Sequence, residues 1–273
     1  MTSTIGCHGS HEQKILREGH RVFVSCEAKL REIPGTPREG SRIFHLDQEE
    51  SLLISPSRTL QHSLLTAITN GIHAGETAIN APDPGPDAWV MAPPSRAILV
   101  GATRVIYVLL GGSKEEQYAR ARRVALSETM GYSMLLSTAE KFEELVSLRP
   151  DQEVVENVVG ERDRLKKEGV KKFSDTDTIT ESGEAVRTAL EAQGIPLEQS
   201  KVLVEQLQWA WNVWSGMTHG LGWPELAPGD GTQNGVYPMP GSWVVDYHAM
   251  AAITSIATTL YGQGLTQDVD PSL

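Results

Sequence analysis

Between Ser57 and Asn80 the apolar residues Leu60, Leu64, Ile68, Ile72 and Ile79 recur at spacings that stack them on one face of an α-helix. A helix with such a stripe must bury it against other elements, and the rest of the chain offers helices to receive it. Arg96 to Leu110 reads as the least polar helix of the first half, ended by Gly111 and Gly112. Ser113 with Glu116 has the form of a capping box, so a new helix starts near Lys114 and runs towards Leu136. Further helical patterns cover Ala139 to Leu148, Gln152 to Lys167, Glu181 to Gln193 and Leu197 to His219, with Ser242 to Tyr261 closing the chain. Within the pattern from Leu197 to His219, Leu203, Leu207, Ala210, Trp214 and Met217 share one seam. The expected fold is therefore all-α, a single helical bundle with long Pro/Gly-rich loops.

The connections are marked as clearly as the helices. Ile33 to Arg42 is rich in Pro and Gly, and Pro82 to Pro94 carries five prolines, which predicts a loop with Pro93, Pro94 and Ser95 opening the next helix. Gln152 to Lys167 is dense in alternating charge and reads as a solvated arm. Gly169 to Asp177 reads as a linker, and Leu221 to Gly241 contains Asn234-Gly235, which suits one small hairpin. Ile15 to Leu30 has a mixed pattern, read as a helix with a strand over Arg21 to Ser25 as the alternative. Residues 1–10 and 266–273 are expected to be tails around one domain spanning 11–265, and no internal repeat divides it.

Composition narrows the function. Asp plus Glu number 35 against 24 Lys plus Arg, and the formal charge of -11 argues against nucleic acid and acidic membranes as partners. Two cysteines, Cys7 and Cys26, make no disulfide framework, the leader lacks the pattern of a secretory signal, and Ala249 to Gly262 falls short of a membrane span. A cytoplasmic protein is the expectation. There is no Walker loop, dinucleotide fingerprint, GxSxG elbow or CxxC pair, and no cofactor is expected.

The chemistry concentrates at Trp209 to Pro224, WAWNVWSGMTHGLGWP, which holds four of the six tryptophans. Ser215 and His219 stand one turn apart on the same helical face, with Trp211 one turn before Ser215. A histidine in the last helical turn meets the negative end of the helix dipole, which suits a general acid or an anion-binding cation. The bland alternative is a cap, in which His219 bonds the last carbonyls and Ser215 its own helix. Trp209, Trp211 and Trp214 cannot all face one core, since successive helical positions turn by about 100 degrees. A second stripe, His62, Thr66, Thr69, His73 and Glu76, runs beside the apolar one and either wets a pocket wall or faces water. His73 with Glu76 and Asp246 with His248 lack zinc-site spacing, a third ligand would have to come from elsewhere, and no metal is expected. Arg120, Arg122 and Arg123 form the one dense basic run, and Glu116 one turn earlier makes helix-surface pairing a sufficient explanation.

The order of a helix reading SRAILVGATRVIYVLL, an Arg-rich helix after a charged turn, and a late helix ending WSGMTHG resembles a group of uncharacterised helical bacterial proteins. Their signature is Ser-Gly-x-x-His-Gly, and the resemblance spans about residues 57–262. The late motif is also similar to that of HEPN-type domains, where an Arg separated by four to six residues from a following His forms a metal-independent ribonuclease site across a dimer. Carried onto His219, that arginine would fall at residues occupied by Asn212, Val213 and Trp214, and Arg96 matches the group's arginine while Val100 stands where an acid belongs.

Two readings follow. In the first, a helical protein binds a small molecule in a Trp-lined pocket, as a binder or as an enzyme of specialised metabolism, with His219 as acid/base, Ser215 orienting it, and Trp211 and Trp214 packing an apolar substrate. Arg96 or Arg104 would hold an anionic group, and His73 would line the wall. In the second, the chain is a HEPN-like dimerising interaction or toxin-system protein with a degenerate ribonuclease site.

Overall fold

The computed structural model describes residues 10–48, 59–78, 88–141, 144, 147, 149–172, 174–219 and 240–267. Among them run nine helices: α1 (Ser10–Glu32), α2 (Arg42–Gln48), α3 (Leu60–Ala78), α4 (Ala88–Leu109), α5 (Lys114–Ala139), α6 (Gln152–Lys167), α7 (Asp175–Ala192), α8 (Leu197–Thr218) and α9 (Pro240–Thr266). No strand occurs among the described residues, so the chain is all-α. None of their helices is long and apolar enough to cross a membrane.

Helix α4 is the hub because it is apolar on nearly every side. Ile98, Leu99, Ala102, Val105, Ile106, Val108 and Leu109 are all buried, and the helix packs against α3, α9, α7, α8 and α5. Its crossing with α3 is close enough to forbid a side chain at Gly101, where a Cβ would run into the Ala67 carbonyl oxygen. Helix α1 lies on α9 and α3, α2 on α9 and α3, and α6 on α5. In α9 two of the threonines that interrupt its apolar run, Thr254 and Thr258, are buried all the same. Thr254 and Thr258 each donate at 2.8 Å to the carbonyl four residues earlier, so their hydroxyls need no outside partner.

The α4–α5 turn follows the sequence closely. Gly111 and Gly112 adopt φ of 66° and 79°, and the Ser113–Glu116 capping box forms with both of its hydrogen bonds. The basic run after it has more distant partners than Glu116 alone. Arg120 donates at 3.0 Å to the Tyr107 and Leu110 carbonyls and so closes the end of α4. Arg122 pairs with Glu168 after α6, and Arg123 reaches the Tyr107 hydroxyl at 2.8 Å and Glu181 of α7 at 3.2 Å. The run is structural, and it ties four helices together.

Several expectations need correction. Of the two readings of Arg21 to Ser25 the helix holds and only the alternative strand falls, because Phe23 and Cys26 give α1 a buried edge there. Helix α2 was not anticipated, since it spans only 7 residues. Helix α4 begins at Ala88 with Pro93 and Pro94 inside it; Ala92 and Ser95 are fully buried beside them, so packing holds a turn that proline weakens. The expected linker ends early, because Ser174 and Asp177 form a second capping box and α7 starts at Asp175. Helix α6 is anchored rather than free, with Val158 and Leu165 fully buried. The hairpin at Asn234-Gly235 and the whole of residues 220–239 lie outside the described residues, as do the first nine residues, the last six and most of the pattern expected between Glu140 and Leu148.

Candidate functional site

Arg96 and Arg104 lie eight residues apart on α4, about two turns, and both turn towards α7. Between them stands Asp175, which the capping box of Ser174 and Asp177 places as the first residue of α7. Its two oxygens divide their attention: Oδ2 lies 3.6 Å from Arg96 Nη2 and Oδ1 lies 3.5 Å from Arg104 Nη2. Arg104 is also held by Glu128 of α5, through its Nη1. Both arginines meet the shared carboxylate at distances beyond a good hydrogen bond, and only Arg104 is tied further, to Glu128, so that it joins three helices.

Helix α8 completes the corner. The Arg96 guanidinium sits over the Trp211 ring, 5.2 Å from its centroid, and the Trp211 Nε1–H donates at 2.9 Å to Thr176 Oγ1. His219 follows the last helical residue and is exposed, and its backbone N–H donates to the Ser215 carbonyl at 3.2 Å. Its imidazole Nε2 lies 3.1 Å from Arg96 Nη1. A guanidinium has donors only, so Nε2 accepts in this contact and the neutral ring carries its proton on Nδ1. The orientation expected from Ser215 is supplied by a residue of another helix. Ser215 itself is half-buried and meets His219 through its carbonyl.

The tryptophans divide as helical geometry requires. Trp209 is 47% exposed, Trp211 is 5% exposed beneath Arg96, and Trp214 is 1% exposed in the core. Trp214 does not line an open surface. Its Nε1–H donates at 3.3 Å to Oδ2 of Asp246, a buried carboxyl on α9 whose Oδ1 accepts from Gln206 at 3.4 Å. Burial pushes Asp246 from the ordinary carboxylate range up to about 7, against the opposing pull of the Gln206 and Trp214 donors.

His73 belongs elsewhere. It is exposed on α3, with Nε2 3.9 Å from Glu27 Oε1 of α1, and takes no part in the α4–α8 corner. The corner therefore unites Arg96, Arg104, Trp211 and His219 and leaves out Trp214 and His73. Asp175, Thr176 and Glu128 are the members that sequence reasoning missed. The run Ser174-Asp175-Thr176-Asp177 is itself a cap signal and would have put Asp175 and Thr176 at a helix start. A separate cavity of about 210 Å³ opens between α2 and the start of α5, lined by Arg42, His45, Leu46, Lys114, Glu115, Gln117 and Tyr118.

The chain matches no protein-family model, and neither a curated protein nor a solved structure is significantly similar to it.

Proposed function

We propose that the α4–α8 corner binds a small molecule bearing a carboxylate or phosphate, with Arg96 as the anion holder and His219 as the proton acceptor or donor. The observation that carries this reading is the contact of 3.1 Å between Arg96 Nη1 and His219 Nε2. It sets a cation that is always charged beside a ring that is proton-accepting, at an exposed position. The Trp211 face fixes the guanidinium from behind, and Arg104, held by Glu128, keeps Asp175 in place. An incoming anion replaces the loose Asp175 contact on Arg96 and leaves the imidazole nitrogen facing the ligand. Trp211 then acts through Arg96 rather than by packing the substrate. Such a protein works in the cytoplasm, as a small-molecule binder or enzyme of specialised metabolism.

Imidazole resonances followed by NMR during titration with benzoate and with inorganic phosphate test the reading. The His219 signals should shift saturably with at least one of the two, and Arg96→Gln should abolish saturation while the fold persists. His219 signals that stay unmoved by both anions would overturn it.

A second reading rests on the same contact. Arg96 brings to His219, from another helix, the arginine missing from residues 212–214, and Trp209 offers an exposed indole for a partner. A HEPN-like dimer would then cleave RNA without metal. Light scattering that finds a dimer dissociating on Trp209→Ala, with RNA cleavage lost in His219→Ala, would favour it over small-molecule binding.

A further inference from the structure

The seam between α1 and α3 gathers a second set of reactive side chains, independent of the α4–α8 corner. His73 and Glu76 share one face of α3, three residues apart, and Glu27 of α1 meets them across the seam. One ligand atom from each of the three falls within 4.8 Å of the others. The backbones hold this approach. A Cβ at Gly75, between the two α3 residues, would collide with the ring of Phe23 of α1, and the Tyr247 hydroxyl of α9 donates at 2.8 Å to the Gly75 carbonyl. Two turns before Glu27, His20 has a buried Nδ1 with no hydrogen-bond partner among the described residues.

The charges in the seam suit a cation. Two carboxylates, Glu27 and Glu76, converge there on one imidazole, His73. Glu27 pairs with Arg31 at 2.5 Å, but Arg31 reaches in from a side chain that is 74% exposed and is free to swing back into water. We infer that Glu27, His73 and Glu76 form a binding site for one divalent transition-metal ion of the zinc class. One imidazole nitrogen with two carboxylates suits zinc or manganese, whereas magnesium prefers an all-oxygen shell. In a tetrahedral site with bonds of about 2.0–2.2 Å, ligand atoms stand roughly 3.4 Å apart, so the three side chains must close in by up to about 1.4 Å from their spread of 4.8 Å. Three protein ligands at an exposed position leave the fourth to water.

Calorimetric titration of the full chain with zinc chloride, and with magnesium chloride for contrast, tests the site. Because Cys7, His8 and His11 also carry ligand atoms, the parent for the test is the Cys7→Ser, His8→Ala, His11→Ala variant. That parent should bind one zinc per chain, ignore magnesium at the same concentration, and gain thermal stability when zinc is added. Glu27→Gln and His73→Ala, each confirmed folded by circular dichroism, should weaken zinc binding at least tenfold. A parent that binds no zinc, or binding unchanged in both folded variants, would overturn the inference.

Discussion

Two corners of α8 set a tryptophan near an aspartate of a neighbouring helix, directly at Trp214 and through Arg96 at Trp211, and they solve opposite problems. At Trp214 the partner is Asp246, 6% exposed and served by two neutral donors, Trp214 and Gln206. At Trp211 the nearby acid is Asp175, half-buried and flanked by Arg96 and Arg104. The first corner keeps a carboxyl in the core by letting it hold its proton up to about pH 7. The second keeps its carboxylate by surrounding it with cations at the edge of the fold. The difference separates a corner that stabilises the bundle from one whose charges remain within reach of a ligand.

The largest expected effect tests the donors themselves. Trp214→Phe removes the indole N–H from a buried carboxyl and should destabilise the protein by about 2–4 kcal/mol, combining an unsatisfied buried acceptor with lost volume. Trp211→Phe deprives Thr176, which is exposed and can turn to water, and keeps an aromatic ring under Arg96, so it should lose less, about 1–2 kcal/mol. Denaturant unfolding of both variants decides it, and equal losses would erase the contrast between the corners.

Next comes pH. Asp246 has a folded-state value above its unfolded one, so its stabilising proton is fully in place below about pH 4 and is lost as pH rises through about 7. This group alone should lower stability between pH 5 and 8 by an amount on the order of 2–4 kcal/mol. Asp246→Asn cannot titrate, and the slope of its stability against pH should be flatter than that of the parent, whatever its absolute stability. Parallel slopes would mean that Asp246 is ionised in the fold throughout.

How much of this could be read in advance follows from the range of the forces involved. The α3 stripe, the Ser113–Glu116 cap and the bounds of α6 and α8 depend on residues a few positions apart, and they stand in the structure nearly where the sequence puts them. Pro93 and Pro94 misled because their helix is held by the burial of Ala92 and Ser95, a tertiary effect. At the site, Arg96, Arg104, Trp211 and His219 were recognisable as reactive types on amphipathic helices. What joins them is Asp175, and no local periodicity says which helix an acid at the start of α7 will face. Glu27 is the same lesson at the other seam. His73 and Glu76 were visible as neighbours, and the missing third group arrived from α1 through the packing of Phe23 on Gly75.

Along the site itself the loss of stability should shrink as exposure grows, from Arg104 through Arg96 to His219. Arg104→Gln leaves both Glu128 and Asp175 without their shared cation in a half-buried joint, and about 1–2 kcal/mol should be lost. Arg96→Gln keeps Asp175 paired through Arg104 and should lose less than about 1 kcal/mol. His219→Ala removes an exposed ring beyond the end of α8 whose contact is with Arg96, so its unfolding free energy should stay within about 0.5 kcal/mol of the parent. That near-neutrality sharpens the comparison, because a residue with little part in holding the bundle together is one whose substitution can be read directly as an effect on binding. Denaturation curves of the three variants in that order, Arg104, Arg96, His219, measure the gradient. A loss at His219 as large as that at Arg104 would make the imidazole part of the scaffold and return the corner to a helix cap.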